Sequence, residues 1–457
     1  MGSLMTALLN TANSMKAVEQ ALTVTENNVV NASTPGYAKQ TATFVAQPFD
    51  LTVGLPGGVA AGPVQSSRDA FAEQAVRSQQ TDVNYYQQKV SDLTSVESYF
   101  STSSTSGIGP AMTSLFQSFS TLSVNPNDSV ARQNVINQAQ TVAQNFQTTA
   151  SGLASQGTNI GQETGSTIAT INQLAGQVAT INGENRVDPS GGVDAGVDAQ
   201  LNSTLEQLSQ VVNFTALQQP DGTVTVYVGG QTPLVVGGQT FAISGDFSTP
   251  RTAVRSSTGA DITSQITGGQ LSAMLDDKNN VLPGYIQSLN TLAQGVADQV
   301  NTGLSNGIDQ NGASPATALF TYNASVGAAA TLAVNPLTPD QIAAALPGAP
   351  GGNGNALNLA ALGTGANLSN FTFAQFYGNI AARVGSDLST ATDNQTTKQS
   401  LLSQAQTLRQ QASGVSLDEE AANLVAFQRA YQANAKMLTV LDTLTQDLMN
   451  VLPPATG

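Results

Sequence analysis

Apolar residues recur every seven positions at each end of the chain, in two adjacent rows. The N-terminal rows are Leu8, Met15, Leu22 and Val29, with Leu4, Thr11, Val18 and Thr25 beside them. The C-terminal rows are Leu417, Leu424, Tyr431 and Leu438, with Phe427, Asn434, Leu441 and Leu448 beside them. Such a heptad repeat predicts a helix with a narrow apolar seam, which packs against another helix. We therefore expect the two ends to pack against each other or against neighbouring copies.

The pattern between the ends changes several times and predicts further segments. Helical spacing dominates, whereas Val224, Val226 and Val228 alternate with Thr and Tyr as in a β-strand. Residues 305–370 are rich in Gly, Ala, Asn and Pro and show little periodicity. The predicted segments are an N-terminal segment at 1–66, the first half of a long helical bundle at 67–212, a small β unit at 213–272, a helix returning to the bundle at 273–304, a variable outer loop region at 305–370, the second half of the bundle at 371–412 and a C-terminal helix at 413–457.

This order of segments predicts a mainly α fold with a small inserted β unit. Helices pair across the middle of the sequence, the first with the last and the second with the next-to-last. The expected shape is an elongated rod of long helices, with the N- and C-terminal helices paired as an α-helical coiled coil. Because a lone terminal hairpin buries few apolar side chains for the conformational entropy it loses, we expect the ends to be mobile until copies pack together.

Composition removes several kinds of chemistry from consideration. Only 10% of the 457 residues are charged, against about 25% in an average soluble protein. The net charge is −15 and the sequence has no basic cluster, so nucleic acid is not expected as a partner. Without Cys or His, the chain lacks thiolate nucleophiles, the commonest general base and the commonest transition-metal ligand. We expect no cofactor, no metal and no enzymatic activity.

The sequence gives no sign of a membrane segment or a cleaved leader. It contains no run of 18 apolar residues, so we expect no transmembrane helix and no membrane insertion. The first residues, MGSLMTALLNTANSMK, do not place a basic region before a continuous apolar stretch. We therefore expect no cleaved secretory signal.

Two short acidic motifs have a structural interpretation. Ser416 and Glu419 form an S-x-x-E capping box, and Asp418 and Glu420 would lie with them at the positive end of a helix dipole. We interpret these carboxylates as helix-capping groups, because no base or nucleophile lies near them in the sequence. Asp309 begins a stretch, DQNGAS, that loosely resembles a calcium loop but lacks the terminal acidic ligand, so we interpret it as a turn.

The segment ALTVTENNVVNASTPGYAKQ, at 21–40, resembles a signature of the bacterial flagellar axial proteins, which include rod, hook and hook-associated proteins. In that family a helix ends in Asn-Asn, and a Thr-Pro-Gly-Tyr turn follows a few residues later. The matching residues are Asn27, Asn28, Asn31, Thr34, Pro35, Gly36, Tyr37 and Gln40.

The segment SGVSLDEEAANLVAFQRAYQANAKML, at 413–438, is similar to the second signature of the same family. The matching residues are Gly414, Leu417, Asp418, Glu419, Glu420, Asn423, Leu424, Phe427, Gln428, Ala430, Tyr431, Ala433 and Ala435. Two independent motifs at opposite ends of the chain support the same resemblance.

The segment after the N-terminal signature distinguishes the members of this family. Rod and hook proteins usually continue in β structure, whereas this chain continues with VQSSRDAFAEQAVRSQQ at 64–80 and then with long helices, including NPNDSVARQNVINQAQTVAQNF at 125–146. These segments resemble the hook-associated protein that begins the hook–filament junction. The chain departs from the family at 305–370. Many relatives carry a larger outer domain there, which is expected to be reduced or missing in this chain.

The resemblance implies a structural, extracellular part of the bacterial flagellum. Such proteins are exported unfolded through the flagellar type III apparatus, without a cleaved signal, and form rings or tubes around the export channel. The implied partners are further copies of the chain, the hook protein, a second junction protein and an export chaperone on the C-terminal helix. The chaperone would cover Leu424, Phe427, Tyr431 and Leu438.

The residues expected in the assembly interface combine the seams with the two signatures. They are Leu8, Met15, Leu22, Asn28, Val29, Asn31, Pro35, Gly36, Tyr37, Leu417, Asp418, Glu419, Glu420, Leu424, Phe427, Gln428, Tyr431, Leu438 and Leu441. Three alternatives remain at this point: a distal rod or hook subunit, a secreted coiled-coil adhesin, and an enzyme carried on a flagellar scaffold.

Overall fold

The fold is mainly α-helical with small antiparallel sheets, as the sequence predicts. The computed structural model describes residues 2–50, 55–100, 106–184, 194–314 and 316–451. Residues 185–193, within the predicted first half of the bundle, lie outside these ranges.

The chain begins with helix α1 (Gly2–Asn31) and a β arm. In the arm, β1 (Gln40–Ala46) pairs with β4 (Val59–Ser66), and β2 (Phe49–Asp50) pairs with β3 (Leu55–Pro56), both antiparallel. The turn between α1 and β1 is the Thr-Pro-Gly-Tyr segment of the N-terminal signature. The arm therefore folds back beside α1, which contacts it.

Four helices follow the arm: α2 (Ala70–Glu97), α3 (Ile108–Val124), α4 (Ser129–Glu184) and α5 (Ala195–Val211). Asp69 caps α2, because its carboxylate accepts hydrogen bonds from the amides of Phe71 and Ala72. Helix α4 has 56 residues and is continuous, although its sequence is irregular and contains several glycines. One buried apolar stripe keeps helical register along its whole length and packs into two cores. The stripe includes Val135, Val142, Phe146, Leu153, Ile160, Ile171 and Val178.

The β unit contains two small sheets. Strands β5 (Phe214–Gln218), β6 (Val224–Val228), β7 (Thr232–Val236) and β8 (Gln239–Thr240) form an antiparallel sheet in that order. Strands β9 (Ser244–Asp246) and β10 (Ala253–Arg255) form a separate pair. The valines of β6 are buried, but so is Thr225 between them, so both faces of this strand are largely covered.

The chain then returns to helix through α6 (Gly269–Asp276), a π-helical turn (Asp277–Val281) and α7 (Leu282–Ser305). After the Gly-rich region come α10 (Phe373–Ser413) and α11 (Leu417–Val451). Thr372 caps α10 with a capping box to Gln375.

Residues 305–370, expected as loop, are more regular and more buried than the sequence indicates. They contain β11 (Phe320–Thr321), α8 (Ala328–Thr331), β12 (Ala333–Val334) and α9 (Gly354–Ala361). Their apolar side chains enter the same core as α3, α4 and α7. The large apolar side chains that are buried there include Leu319, Phe320, Leu332, Ile342 and Leu359. These contacts are with distant parts of the chain, so no local periodicity revealed them.

Two large cores hold the rod together. One lies between α2, α3, the first half of α4, α7, α10 and the Gly-rich region. The other lies between the second half of α4, α5, α6 and the β unit. Within the described residues, neither core includes a side chain of α1 or α11. The terminal helices therefore depend on each other and on the arm.

Helices α1 and α11 pack together and form what we call the terminal hairpin. They run antiparallel, because Asn28 near the end of α1 bonds Glu420 near the start of α11. Supercoiling of this pair stays a prediction, as does the division into domains. No helix in the described part of the chain is both long and apolar enough to cross a membrane.

Candidate axial interface

Asn28 is the centre of the contact between the two ends of the chain. Its side-chain Nδ2 donates to the Gln40 carbonyl at 2.8 Å and to Glu420 Oε2 at 3.2 Å. Its Oδ1 accepts from the Tyr37 hydroxyl and from the Gln40 amide, each at 2.9 Å. The side chain is 1% exposed, and so is Glu420. One amide group therefore joins α1, the signature turn, β1 and α11.

Lys39 pairs with two carboxylates at the acidic start of α11. Its Nζ lies 2.9 Å from Glu419 Oε1 and 3.3 Å from Glu420 Oε1. Burial lowers the pKa of Lys39, but the hydrogen bonds to the two glutamates outweigh it and the pKa is raised. Burial also raises the pKa of Tyr37, and the charge of Glu420 adds to the effect. The lysine stays charged and the tyrosine stays protonated, as their hydrogen bonds require.

The predicted capping box is only half present. The Glu419 amide donates to Ser416 Oγ at 3.4 Å, which matches the expected cap. The Glu419 carboxylate pairs with Lys39. Glu420 is buried and accepts a hydrogen bond from Asn28, so it is not an exposed capping charge.

Ser413 closes the same contact from the end of α10. Its carbonyl accepts from the Lys39 amide at 2.9 Å. Its hydroxyl donates to the Ser67 carbonyl at 3.1 Å and accepts from the Asp69 amide at 3.0 Å. We call this network of Asn28, Tyr37, Lys39, Gln40, Ser413 and Glu420 the terminal joint.

Gly36 fixes the joint to the helical bundle. It has φ +77°, and a Cβ there would lie 2.3 Å from the Ala199 carbonyl oxygen in α5, so only glycine fits. The Gly36 carbonyl accepts from the Arg68 guanidinium at 2.6 Å. Arg68 also pairs with Glu73 and Asp198 at 2.6 and 2.7 Å. The signature turn is thus held against both α2 and α5.

On α1 the buried face is offset from the predicted heptad row. Leu8, Met15 and Leu22 are half-buried, and Val29 is 38% exposed. The residues that are buried have shorter side chains. They are Thr11, Ala17, Ala21, Val24, Thr25 and Asn28. Small side chains let α11 and the arm approach the α1 backbone closely.

On α11 some of the predicted residues are half-buried and the others are exposed. Leu424, Phe427, Tyr431, Leu438 and Leu441 are half-buried. The Phe427 ring lies 6.4 Å from that of Phe44 in the arm. The remaining predicted residues, Leu417, Asp418, Glu419 and Gln428, are exposed.

Asn31 and Pro35 of the N-terminal signature do not enter the joint. The Asn31 amide caps its own helix end by donating to the Asn27 carbonyl, and Pro35 is exposed. Both line a cleft of about 1890 Å³ between the end of α1, the arm and the facing ends of α4 and α5.

Sequence reasoning missed Ala17 and Ala21 on the buried face of α1, and Lys39 and Ser413 in the joint. The helical spacing of Ala17 and Ala21 relative to Asn28, which was predicted, was a usable signal. Lys39 and Ser413 had none, because their partners lie hundreds of residues away.

A second buried polar cluster lies at the π-helical turn. Lys89 of α2 contacts Asp276 and lies 2.8 Å from Asp277 Oδ1. Burial raises the pKa of Asp277 to about 8 and that of neighbouring Asp92 to about 6. The described residues include no group of three or more acidic side chains arranged to hold a metal ion. The contacts of Lys89 join α2 to the end of α6 and to the π-helical turn.

Long helices and a buried joint between the two chain ends give this fold the organisation of a flagellar axial protein. Residues 93–320 match the family model of the flagellar hook-associated protein FlgK helical domain. Residues 408–451 match the C-terminal model of flagellar basal body rod FlgEFG proteins.

Full-length relatives identify the particular family. Flagellar hook-associated protein 1 of Bacillus subtilis is 28% identical, over 95% of this chain and 96% of the relative. The protein of that name from Escherichia coli is 25% identical, over 98% of this chain and 100% of the relative. The chain belongs to the flagellar hook-associated protein 1 family.

A solved structure has the same fold. The flagellar hook junction protein FlgK from Burkholderia pseudomallei superposes with a TM-score of 0.66. It is 15% identical and covers 75% of this chain and 100% of its own.

Proposed function

We propose that this chain is a structural component of the bacterial flagellum, the adaptor that assembles on the distal hook and supports filament assembly. The observation that carries the proposal is the terminal joint, which brings the two axial signatures together through Asn28 and Glu420. The names of the full-length relatives support the same role.

The exposed faces of the terminal hairpin support assembly with other copies. Met437, Val440 and Leu444 of α11 are 57%, 56% and 49% exposed, and Met5 and Leu9 of α1 are 61% and 54% exposed. An apolar stripe of this kind on a helix is stable only when it is covered. In a ring or tube of copies, the hairpins would cover one another around the export channel.

The proposed partners follow from that position. One face of the ring would contact the hook protein and the other a second junction protein. Before export, a chaperone would cover the half-buried side chains Leu424, Phe427, Tyr431 and Leu438. The chain would reach the outside of the cell through the flagellar export apparatus, without a cleaved signal, and would act without catalysis.

A distal rod or hook subunit is the second candidate. The match of residues 408–451 to the rod-protein C-terminal model favours it. The long helices at 70–97 and 129–184 favour the junction instead, since the hook-associated family model covers that part of the chain.

The test is electron microscopy of a strain that lacks this gene, with flagellin assayed in the culture fluid. We expect hooks without filaments and monomeric flagellin in the medium. Expression of the wild-type chain should restore filaments. Loss of the hooks themselves would move the protein to the rod or hook, and normal flagella would overturn both proposals.

A further inference from the structure

Helix α4 passes from one core to the other through a stretch that has no apolar side chain. Its last residue in the core around α7 is Ile160, and its first in the core around the β unit is Ile168. The stretch between them, residues 161–167, reads GQETGST. Its buried side chains are the small hydroxyl groups of Thr164 and Thr167. Along α4, the two cores are therefore joined by a segment that contributes no apolar side chain to either.

Two glycines in this stretch have no packing reason to be glycine. A Cβ at Gly161 would meet no neighbouring atom within 4 Å, and one at Gly165 would lie 3.8 Å from the Phe247 ring, which is an ordinary contact. Glycine is less favourable than alanine in a helix interior, because it loses more backbone freedom on folding. The hydroxyls of Thr164 and Ser166 also donate to carbonyls one turn earlier, a contact that often accompanies helix bending. These residue types make this part of α4 easy to bend.

The returning chain passes α4 at the same level. Lys278 in the π-helical turn donates to the Gly157 carbonyl at 2.7 Å. The Thr167 hydroxyl donates to the sulfur of Met274 at 3.8 Å. Because these two bonds lie on either side of residues 161–167, the end of α6 and the π-helical turn lie beside that stretch.

The returning chain also changes from one core to the other at this level. Leu271 and Leu275 of α6 belong to the core around the β unit, and Leu282 at the start of α7 belongs to the core around α7. Met274 already belongs to the core around α7, so the change falls at the end of α6. A π-helical turn is a common site of helix kinks, and here it follows directly.

A polar cleft separates α2 from α4 beside the same stretch. It has a volume of about 500 Å³, and its lining consists of Ser, Asn, Gln, Asp and Glu side chains of the two helices. They include Ser91 and Ser95 of α2 and Gln162 and Ser166 of α4. Movement of α4 toward α2 would close this cleft without breaking an apolar contact across it.

Helix α2 is the continuous member at this level. It has no glycine, and α10 packs along it. Its Gln88 donates to Glu163 of α4 at 3.3 Å, and its Lys89 lies 2.8 Å from Asp277 of the π-helical turn. The ion pair holds the turn to α2, so the axis of a bend would lie on the side of α2 and α4 would make the larger movement.

We propose that residues 161–167 of α4 and the π-helical turn form a hinge between the two parts of the rod. The part that carries the β unit bends about α2 relative to the part around α7, and the polar cleft closes as it does. Such a hinge lets identical copies differ in shape while both cores stay intact. The inference goes beyond the proposed function, because it concerns the single chain and requires no partner.

Hydrogen exchange of the purified full chain tests the flexibility of α4. We expect the amides of 161–168 to exchange at least about tenfold faster than those of 138–146, which lie beside the core around α7. Gly161→Ala with Gly165→Ala should slow the exchange of 161–168 by about tenfold or more. The matched control is Gly176→Ala, because a Cβ there would also meet nothing within 4 Å but lies outside the hinge. It should change the exchange of 161–168 by less than about twofold.

Double electron–electron resonance tests the bend itself. The chain has no cysteine, so Thr113→Cys on α3 and Ala242→Cys before β9, both exposed, place one spin label on each part. A second pair, Thr113→Cys with the exposed Gln140→Cys of α4, stays within the part around α7. We expect a broad distance distribution for the first pair and a narrow one for the second. The two alanines should narrow the first distribution, and Gly176→Ala should leave it broad.

Several results would overturn the hinge. Equal exchange rates at 161–168 and 138–146 would do so, as would a first label pair with a distribution as narrow as that of the second. Broad distributions for both pairs would show a generally loose fold instead of a hinge. Equal narrowing by Gly176→Ala would assign the effect to overall helix stability. None of these results bears on the proposed function, which is tested by the filaments of the deletion strain.

Discussion

Replacing Asn28 with alanine should open the terminal joint without disturbing the two large cores. The substitution removes four hydrogen bonds, two from Nδ2 and two to Oδ1. It leaves the Gln40 amide and carbonyl and the Glu420 carboxylate buried without this partner. Neither core contains Asn28, so the loss falls on the contact of α1 with the signature turn, β1 and α11.

The magnitude follows from those four bonds. A buried hydrogen bond contributes about 1 kcal/mol net, and groups left unpaired in a buried site add to the loss. We expect the free energy of opening the joint to fall by about 3–5 kcal/mol. A fall of about 4 kcal/mol corresponds to an opening constant raised about 10³-fold, since about 1.4 kcal/mol is tenfold.

Hydrogen exchange of the Lys39 amide measures this opening. That amide donates to the Ser413 carbonyl, a bond that the substitution does not touch. Asn31→Ala is the matched control, because Asn31 lies on the same helix and makes only exposed bonds to Asn27 and Thr34. It should accelerate exchange by less than about tenfold. If Asn28→Ala accelerates exchange no more than Asn31→Ala, the joint does not hold the hairpin.

Three further predictions test other parts of the structure. Gly36→Ala should lower the melting temperature more than Gly237→Ala, because both glycines have positive φ but only at Gly36 would a Cβ meet backbone, at Ala199. Asp277→Asn should flatten the pH dependence of stability measured by urea unfolding. Burial raises the pKa of Asp277 to about 8, so between its ordinary value and pH 8 the folded state keeps a proton that the unfolded state releases, and wild-type stability should fall as pH rises through this window. Leu424→Asp should abolish incorporation into the junction while the circular dichroism of the purified chain keeps its helical signal, and retained incorporation would remove α11 from the interface.

The sequence predicted the helical elements well because their cause is local. The apolar stripes of α2, α4, α7 and α10 repeat with the period of the helix, and α2 and α10 begin at side-chain caps, Asp69 and Thr372. The pairing of the two chain ends could be predicted for the same reason, because a heptad row is also a local pattern. The heptad rows indicated which two helices would meet.

The sequence predicted the details of the contact less well. Heptad reasoning favours large apolar side chains, so it selected Leu8, Met15 and Val29. The structure buries Ala17 and Ala21 more deeply, together with Asn28 of the predicted signature, since close packing against α11 and the arm needs small or hydrogen-bonded groups. The burial of the Gly-rich region, residues 305–370, was not predicted for a different reason. Its buried residues, such as Leu319 and Ile342, meet the core through contacts far apart in sequence.

The terminal joint also constrains the order in which the parts of the chain fold. Asn28 and Glu420 are 392 residues apart, the longest sequence separation among the side-chain hydrogen bonds named here. Closing a flexible loop of that length costs about 5 kcal/mol of chain entropy, so the contact forms late, after the intervening helices have shortened the path. A chain made from its N-terminus first holds α1 without its partner until nearly the whole molecule exists. A chain that stops before residue 413 has no joint to close, so this contact distinguishes a finished subunit from a fragment.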